Sequence, residues 1–372
     1  MLEDFNIKKE EVFPICVMAT MSSGKSTFIN SILGTEILPE KNEACTARAL
    51  SVINNDKAGI PRAYIVKNDG TKGYVEIDSR MVMEKVNSDE NVKNVLIEMN
   101  IPSILNITKP LVLIDTPGVN NSDDMRHAER TKAILDEMDR GVIIYILNAT
   151  QLATNDDALL LQMVAEHVKK HPSLNICFVL NKIDMLDEDK ESIEGTVETA
   201  QKYISDYGLD KPLIYPLSAL SAKILRLKLN DKYMTKTEQR YLIEAYKEYE
   251  PKENNMIQYS GVYKQNLYFQ IDDKEVSEYE LRRAIENTGI CGIENQITKY
   301  LIGSEKEIIE QFVNTSVYED FEGVYSRRRK SKNMKNYTGK VKWICKACRQ
   351  VNGDNEYCLN CNKRNLIWRK IL

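Results

Sequence analysis

Short apolar runs separated by longer stretches of helical periodicity set the rhythm of this chain. Phe13-Pro14-Ile15-Cys16-Val17-Met18 is apolar without alternation and reads as a strand buried on both faces. Small and polar residues follow, and then Ser26 to Leu33 places Phe28, Ile29, Ile32 and Leu33 at helical spacing, with Gly34 as the stop. The pattern repeats. Residues 48–55 and 61–67 are β-prone, and Val95 to Met99 predicts an edge strand. Leu111-Val112-Leu113-Ile114 predicts a buried strand ending at Asp115, 126–140 a helix, and Val142 to Leu147 a strand. Residues 154–170 predict an amphipathic helix with Leu160, Met163, Val164 and Val168 on one face, and Ile176 to Leu180 and Leu213 to Leu217 complete the strands. Continuous apolar strands alternating with helices predict an α/β fold with a mostly parallel sheet covered on both faces. In such sheets ligands bind at the carboxyl ends of the strands.

From about 222 to 288 the pattern degrades into the charged helical stretch KTEQRYLIEAYKEYE, a polar segment with Pro251 and Gly261, and the helical EYELRRAIEN. This predicts a helical insertion, read as a packing module without a catalytic role. Ile293 to Leu301 returns as an amphipathic helix, and SRRRKSKN (326–333) is a linker by composition. The expected organisation is therefore a domain over 1–303 containing the insertion, a short helix and basic linker over 304–340, and a small module over 341–372.

Composition adds two points. With 372 residues and 42% apolar content the chain can build a substantial core, and no apolar run is long enough to span a bilayer. The amino-terminal MLEDFNIKKEEVF has no signal-peptide pattern, so a soluble, cytoplasmic protein is expected. The net charge of −4 conceals an asymmetry: residues 326–372 hold 14 Lys/Arg against Asp354 and Glu356, a local +12 that leaves −16 elsewhere. The tail is a separate electrostatic object.

The candidate chemistry sits at the predicted strand ends. Ser22, Ser23, Gly24, Lys25, Ser26 and Thr27 join a buried strand to a helix, which presents backbone N–H groups and the positive end of the helix dipole to one point. A triphosphate fits there, with Lys25 on its outer phosphates and the Ser26 hydroxyl on Mg²⁺. The pattern G-x-x-x-x-G-K-[ST] is met except that Ala19 replaces the first glycine, and that position needs a small residue. Asp115-Thr116-Pro117-Gly118 follows a buried strand; the carboxylate suits Mg²⁺ through water, and the Gly118 N–H suits a γ-phosphate. In Asn181-Lys182-Ile183-Asp184, the aspartate suits the paired N1–H and 2-amino donors of guanine, which adenine lacks, Lys182 lies along the base and Asn181 ties the loops together. Ser218-Ala219 offers backbone N–H groups to the guanine O6, and Thr46 is placed in a covering loop as a second Mg²⁺ ligand. Any one of these is weak. Their order, each at a strand end or in the covering loop, predicts a site for GTP and GDP.

With those motifs in place the chain resembles a dynamin-family large GTPase. SSGKSTFINSILG, ILPEKNEACTARAL, IPSILNITKPLVLIDTPGVN and NKID resemble that family's amino-terminal domain, and TGICGIENQITKYL resembles the closing helix of bacterial members. The resemblance covers 12–222 and 288–303, and the interval from Lys25 to Asp115 leaves room for the family's extra strands. It implies a P-loop GTPase fold, hydrolysis of GTP by a positioned water with Mg²⁺ neutralising charge, and pairing of two such domains across the nucleotide face into a homodimer. It implies for Ser22 a part in stabilising transition-state charge. Eukaryotic dynamins orient water with a glutamine where this chain has Met21, whose thioether cannot donate a hydrogen bond. Water positioning then falls to Thr46 backbone atoms, another residue or a partner, and slow basal turnover is expected. Too few residues remain for a long membrane-remodelling stalk.

In the tail, Cys345, Cys348, Cys358 and Cys361 form two C-x-x-C pairs at zinc-ligand spacing, and four thiolates close the Zn²⁺ tetrahedron, which makes the site structural. Trp343-x-Cys345-x2-Cys348-x3-Asn352-x5-Cys358-x2-Cys361 resembles the zinc fingers of the Ran-binding nucleoporin type. Those fingers bind ubiquitin, single-stranded RNA or other proteins. Arg349-Gln350 stands where the ubiquitin-binding version has Thr-Phe, and Gly353 where the RNA-binding version has a stacking tryptophan, so neither ligand carries over. The basic charge leaves RNA, protein and anionic lipid all open as tail partners.

Overall fold

The computed structural model describes residues 2–39, 50–104, 106, 109–118, 125–187, 189–250 and 268–303, together with the dipeptides 343–344 and 351–352. Two compact units are present: Met1–Pro251 with Phe269–Leu301, and Lys252–Tyr268 with Ile302–Leu372. The first unit carries strands β1 (Phe13–Ala19), β2 (Leu50–Asn54), β3 (Arg62–Lys67), β4 (Lys72–Glu76), β5 (Val92–Met99), β6 (Leu111–Asp115), β7 (Gly141–Asn148), β8 (Leu174–Asn181) and β9 (Ile214–Leu217). Its helices are α1 (Lys25–Leu33), α2 (Arg80–Ser88), α3 (Met125–Asp136), α4 (Asn155–Lys170), α5 (Ile193–Asp206), α6 (Ala219–Leu229), α7 (Lys236–Tyr249) and α8 (Glu278–Asn287), followed by α9 (Ile290–Gly303).

One nine-stranded sheet runs in the order β4-β3-β5-β2-β6-β1-β7-β8-β9. From β6 through β1, β7 and β8 to β9 every pair is parallel. β2 lies antiparallel to β6 and parallel to β5, while β3 is antiparallel to both β5 and β4. The result is the expected α/β architecture with a mostly parallel sheet, with β3, β4 and β5 added beyond β2.

Burial explains why β1 reads as unbroken apolar sequence. Ile15, Val17 and Ala19 pack on one face with Phe28, Ile29 and Ile32 of α1 and Ala222, Ile224 and Leu225 of α6. Cys16 and Met18 point to the other face, with Ile134 and Leu135 of α3, Leu160, Leu161 and Val164 of α4, and Ala200 and Ile204 of α5. β7 repeats the device: Val142, Ile144 and Ile146 join the first face, and Ile143, Tyr145 and Leu147 the second. Each such aliphatic side chain stabilises by roughly 1.5–3 kcal/mol on burial.

The structure departs from or adds to the sequence expectation at three places. β5 is interior, between β3 and β2, and not at the edge; the edges are β4 and β9. β4 and α2 have no counterpart in the sequence reading, because KGYVE is mostly exposed and carries little apolar signal. In the 222–288 region, Leu242, Ala245 and Tyr246 of α7 and Leu281, Ala284 and Ile285 of α8 join the same apolar cluster as β1. α7 and α8 each start with a reciprocal cap, Thr235 with Glu238 and Ser277 with Glu280, the sequence signature S/T-x-x-E. The strands β10 (Tyr268–Ile271) and β11 (Lys274–Ser277) pair between them.

In the second unit, β12 (Trp343–Ile344) pairs antiparallel with β13 (Val351–Asn352). Thr46, Cys345, Cys348, Cys358 and Cys361, and the expected helix and linker after 304, lie outside the described residues. Among the described residues no helix is long and apolar enough to cross a membrane, and no group of three or more His, Cys, Asp or Glu side chains could hold a metal.

Candidate functional site

Strand β1 stops at Ala19, and α1 begins at Lys25 after five intervening residues. The intervening loop is bent by two left-handed residues, Ser22 at φ 61° and Gly24 at φ 86°. Only glycine fits at 24: a Cβ would stand 2.4 Å from the Asn181 Nδ2 atom. Within the loop the Thr20 and Ser23 hydroxyls share a hydrogen bond of 2.8 Å, and the Ser23 N–H donates to the Thr20 carbonyl at 3.3 Å. Ser26 and Thr27 are half-buried in the first turn of α1, where N–H groups have no helical acceptor.

Lys25, the first residue of α1, and Asp115, the last of β6, form a buried ion pair, with side chains 8% and 4% exposed. Burial pushes the Asp115 carboxyl up, and the Lys25 charge opposes the rise. Asp115 is carried there by the parallel register of β1 with β6, in which Val17 faces Asp115. The loop beyond it is fastened twice: Thr116 Oγ1 donates to the Val17 carbonyl at 2.8 Å, and Thr131 Oγ1 to the Pro117 carbonyl at 3.1 Å. Gly118 lies against the phosphate-loop backbone, where a Cβ would come within 3.4 Å of Met21 Cα. A lysine, a carboxylate, two hydroxyl-bearing helix residues and turned backbone N–H groups are the donor set that a Mg²⁺-triphosphate takes.

Asn181 joins the second half of the site to the first. Its Nδ2 donates to the Ser23 carbonyl at 2.9 Å, and its Oδ1 accepts the Ala219 N–H at 3.0 Å. One buried side chain thus ties the phosphate loop to the Ser218–Ala219 loop. Lys182 is left-handed at φ 68°, which turns the chain into the short 3-10 helix holding Asp184. The Ser218 hydroxyl accepts the Ser221 N–H at 3.1 Å as the cap of α6, and the Ser218 N–H donates to the Thr288 carbonyl at 3.0 Å. Here the geometry departs from the expectation of two open N–H groups. The Ser218 N–H is held by Thr288, and an incoming carbonyl would compete with Asn181 for the Ala219 N–H.

All described candidates therefore lie at the carboxyl ends of β1, β6, β8 and β9. The sequence reading missed Thr20, Thr116 and Thr288, which brace the site. Thr116 stands inside the quoted D-x-x-G motif and was open to notice; Thr288 works through its carbonyl and carries no side-chain signal.

Residues 15–183 match the dynamin family. Among curated relatives, an uncharacterized protein in the xynA 3′ region of Caldicellulosiruptor sp. is 26% identical, covering 62% of this chain and 54% of that protein. Dynamin-like protein A of Bacillus subtilis is 23% identical over 55% of this chain and 16% of its own length. The bacterial dynamin-like protein of Nostoc punctiforme is 25% identical over 52% and 29%. The chain thus spans about half or less of the relatives it matches. Similar solved structures include a bacterial dynamin from an oligomerised pair (15% identity, TM-score 0.44, 87% of this chain and 46% of that one). Another is Era in complex with MgGDPNP and a 16S ribosomal RNA fragment (19%, TM-score 0.33, 56% and 51%).

Proposed function

We propose that this chain is a dynamin-type GTPase, which binds GTP with Mg²⁺ and hydrolyses it to GDP and phosphate. The observation that carries the reading is Asn181, which bonds the phosphate loop and the base-side loop at once and so fixes the span between them. In this reading the Lys25 ammonium leaves Asp115 for the β- and γ-phosphate oxygens, and the Ser22 to Gly24 backbone N–H groups cradle them. Ser26, Thr46 and Asp115 would hold Mg²⁺, which when bound neutralises charge on the β- and γ-phosphates. The Gly118 N–H orients the γ-phosphate. Asp184 accepts the N1–H and 2-amino protons of guanine, Lys182 covers the ring, and O6 would share the Ala219 N–H with Asn181 Oδ1.

Met21 is 41% exposed at the lip of the phosphate loop and offers a migrating water no donor. That supports slow turnover in the isolated chain and completion of the site by a second copy across the nucleotide face. Phosphate release measured against protein concentration tests this. Specific activity that rises with concentration is expected; specific activity flat at every concentration would reject the dimer, and no release at all would reject the enzyme.

The domain reading is a GTPase domain over 1–303 and a zinc module over 341–372. Antiparallel pairing of Trp343–Ile344 with Val351–Asn352 supports the latter, because the connection between them carries the first C-x-x-C pair. The +12 tail favours a second role beside the first: a nucleotide-timed module that recruits RNA, an acidic protein or anionic lipid. Deletion of 326–372 separates the two, since hydrolysis should survive it and partner capture should not.

A further inference from the structure

Strand β4 is a free edge of the sheet, with β3, β5 and β2 between it and β6. Its backbone groups divide by residue. The Lys67 N–H donates to the Thr71 carbonyl at 2.9 Å and the Ile77 N–H to the Pro61 carbonyl at 2.7 Å. Between those points the register sets Ile65 opposite Gly73 and Ala63 opposite Val75. Antiparallel ladders alternate hydrogen-bonded with non-hydrogen-bonded pairs, so 71, 73, 75 and 77 turn their N–H and C=O groups toward β3. Lys72, Tyr74 and Glu76 turn theirs outward, where no strand among the described residues takes them. The side chains of the same three residues share one face of β4 and are exposed, Tyr74 at 64%.

We infer that β4 pairs antiparallel with β4 of a second copy of this chain, about a two-fold axis at Tyr74. The pattern around that residue is self-complementary. With Tyr74 opposite the partner's Tyr74, Lys72 stands opposite the partner's Glu76, and Glu76 opposite the partner's Lys72. The outward N–H and C=O groups of the same residues meet in hydrogen-bonded pairs. The signs of the charges separate this from an edge that is merely guarded. Centring the pair on Lys72 or on Glu76 sets like charges opposite each other, whereas centring it on Tyr74 sets opposite ones. Both charges have capacity left. Glu76 Oε1 accepts from Arg62 at 3.3 Å, while its Oε2 takes no hydrogen bond among the described residues. Lys72 directs one of its three donors to the Asp4 carbonyl, at 2.5 Å. On the other face the pairing brings the partner's Val75 beside Gly73, where a side chain would meet no atom within 4 Å. That pair is of the non-hydrogen-bonded kind, whose side chains approach most closely. Two five-residue strands make a small interface, so the dimer is weak and concentration-dependent. It needs no nucleotide, and it is distinct from the pairing proposed across the nucleotide face.

Sedimentation equilibrium of the full chain without nucleotide, over a wide range of protein concentration, compares wild type, Lys72→Glu, Glu76→Lys and the double exchange. Wild type should form a reversible dimer. Each single variant sets like charges opposite each other at both ends and should weaken the dimer at least about tenfold; the double variant restores opposite signs and should recover it. GDP affinity should stay at the wild-type value in all variants, because three strands separate this edge from β6. Should one single variant fail to fold, the other decides. A wild type that stays monomeric at every concentration would overturn the inference. So would a dimer indifferent to both single variants, or a double variant no better than either. Loss of the guanine reading would show in GDP binding and leave this dimer untouched.

Discussion

At the scale of single residues, the site depends on groups that have no substitute. Gly24 combines a left-handed backbone with a side-chain position already filled by Asn181. Gly24→Ala should cost at least about tenfold in nucleotide affinity, because the methyl group must displace the side chain that joins the two loops. Calorimetry with GDP reads the loss, and unchanged affinity would mean that Asn181 is free to move. Lys25→Ala should remove binding of the triphosphate more severely, since it deletes a charge-assisted contact and leaves Asp115 buried without its partner. Asp184→Asn should turn preference from guanosine toward xanthosine nucleotides, because an amide donates where the carboxylate accepted. Competition between GDP and XDP measures that preference directly, and an unaltered ratio would place base reading elsewhere. The positions of these residues were legible in the sequence, because each motif follows an unbroken apolar run, and the structure gathers them at one rim of the sheet. Thr288 was not: it meets the Ser218 loop through its backbone carbonyl, which accepts the Ser218 N–H, and a backbone group leaves no mark in the sequence.

At the scale of elements, two ionic networks hold the helices that frame the site. Arg226 of α6 donates to both carboxylate oxygens of Glu294 on α9, at 2.5 and 2.8 Å, and to the Ser31 carbonyl of α1 at 2.7 Å, all of it buried. Arg226→Ala strands Glu294 and should destabilise by about 3–5 kcal/mol in denaturant unfolding. Arg226→Met combined with Glu294→Leu should recover most of that, because the cost lies in the orphaned charge. The second network joins the loop after α1 to α2, α6 and α7. Arg80 lies 2.5 Å from Glu36 and 3.0 Å from Glu238, and Lys223 lies 3.6 Å from Glu238. Burial alone would raise the Glu238 carboxyl, but the Thr235 backbone N–H and Arg80 outweigh it and bring it down to about 2. A carboxyl held below its ordinary range stabilises fully above that range and loses the effect as pH falls through it toward 2. Stability should therefore decline between about pH 4.5 and 2, and Glu238→Gln should flatten that decline in melting curves. The main parallel strands were readable from unbroken apolar runs, since burial on both faces leaves no other pattern. β4 escaped because an exposed edge strand has no such run, and β5 was misplaced because an apolar segment does not say which neighbours it takes. α7 and α8 were recognisable as helices from their caps and periodicity; their incorporation into the main core was not, because amphipathicity tells that a face is covered and not by what.

At the scale of the whole molecule, the chain divides its charge between a basic tail of +12 and a remainder of −16. The described part of the tail is one short strand pair, and its cysteines carry the expectation of one Zn²⁺ per chain. Elemental analysis of purified protein should find one zinc per chain, lost together with protease resistance of the tail in Cys345→Ser, while GDP affinity is retained; absence of zinc would dismiss the finger. The central claim concerns the other end of the chain. It is that loops gathered at one rim of the nine-stranded sheet, joined by Asn181, take a Mg²⁺-bound guanine nucleotide as proposed. Titration calorimetry of the full chain with GDP and with ADP, both in Mg²⁺, tests it most directly. The account predicts one GDP per chain and ADP weaker by at least a hundredfold, whereas equal affinities, or no binding of either, would contradict it.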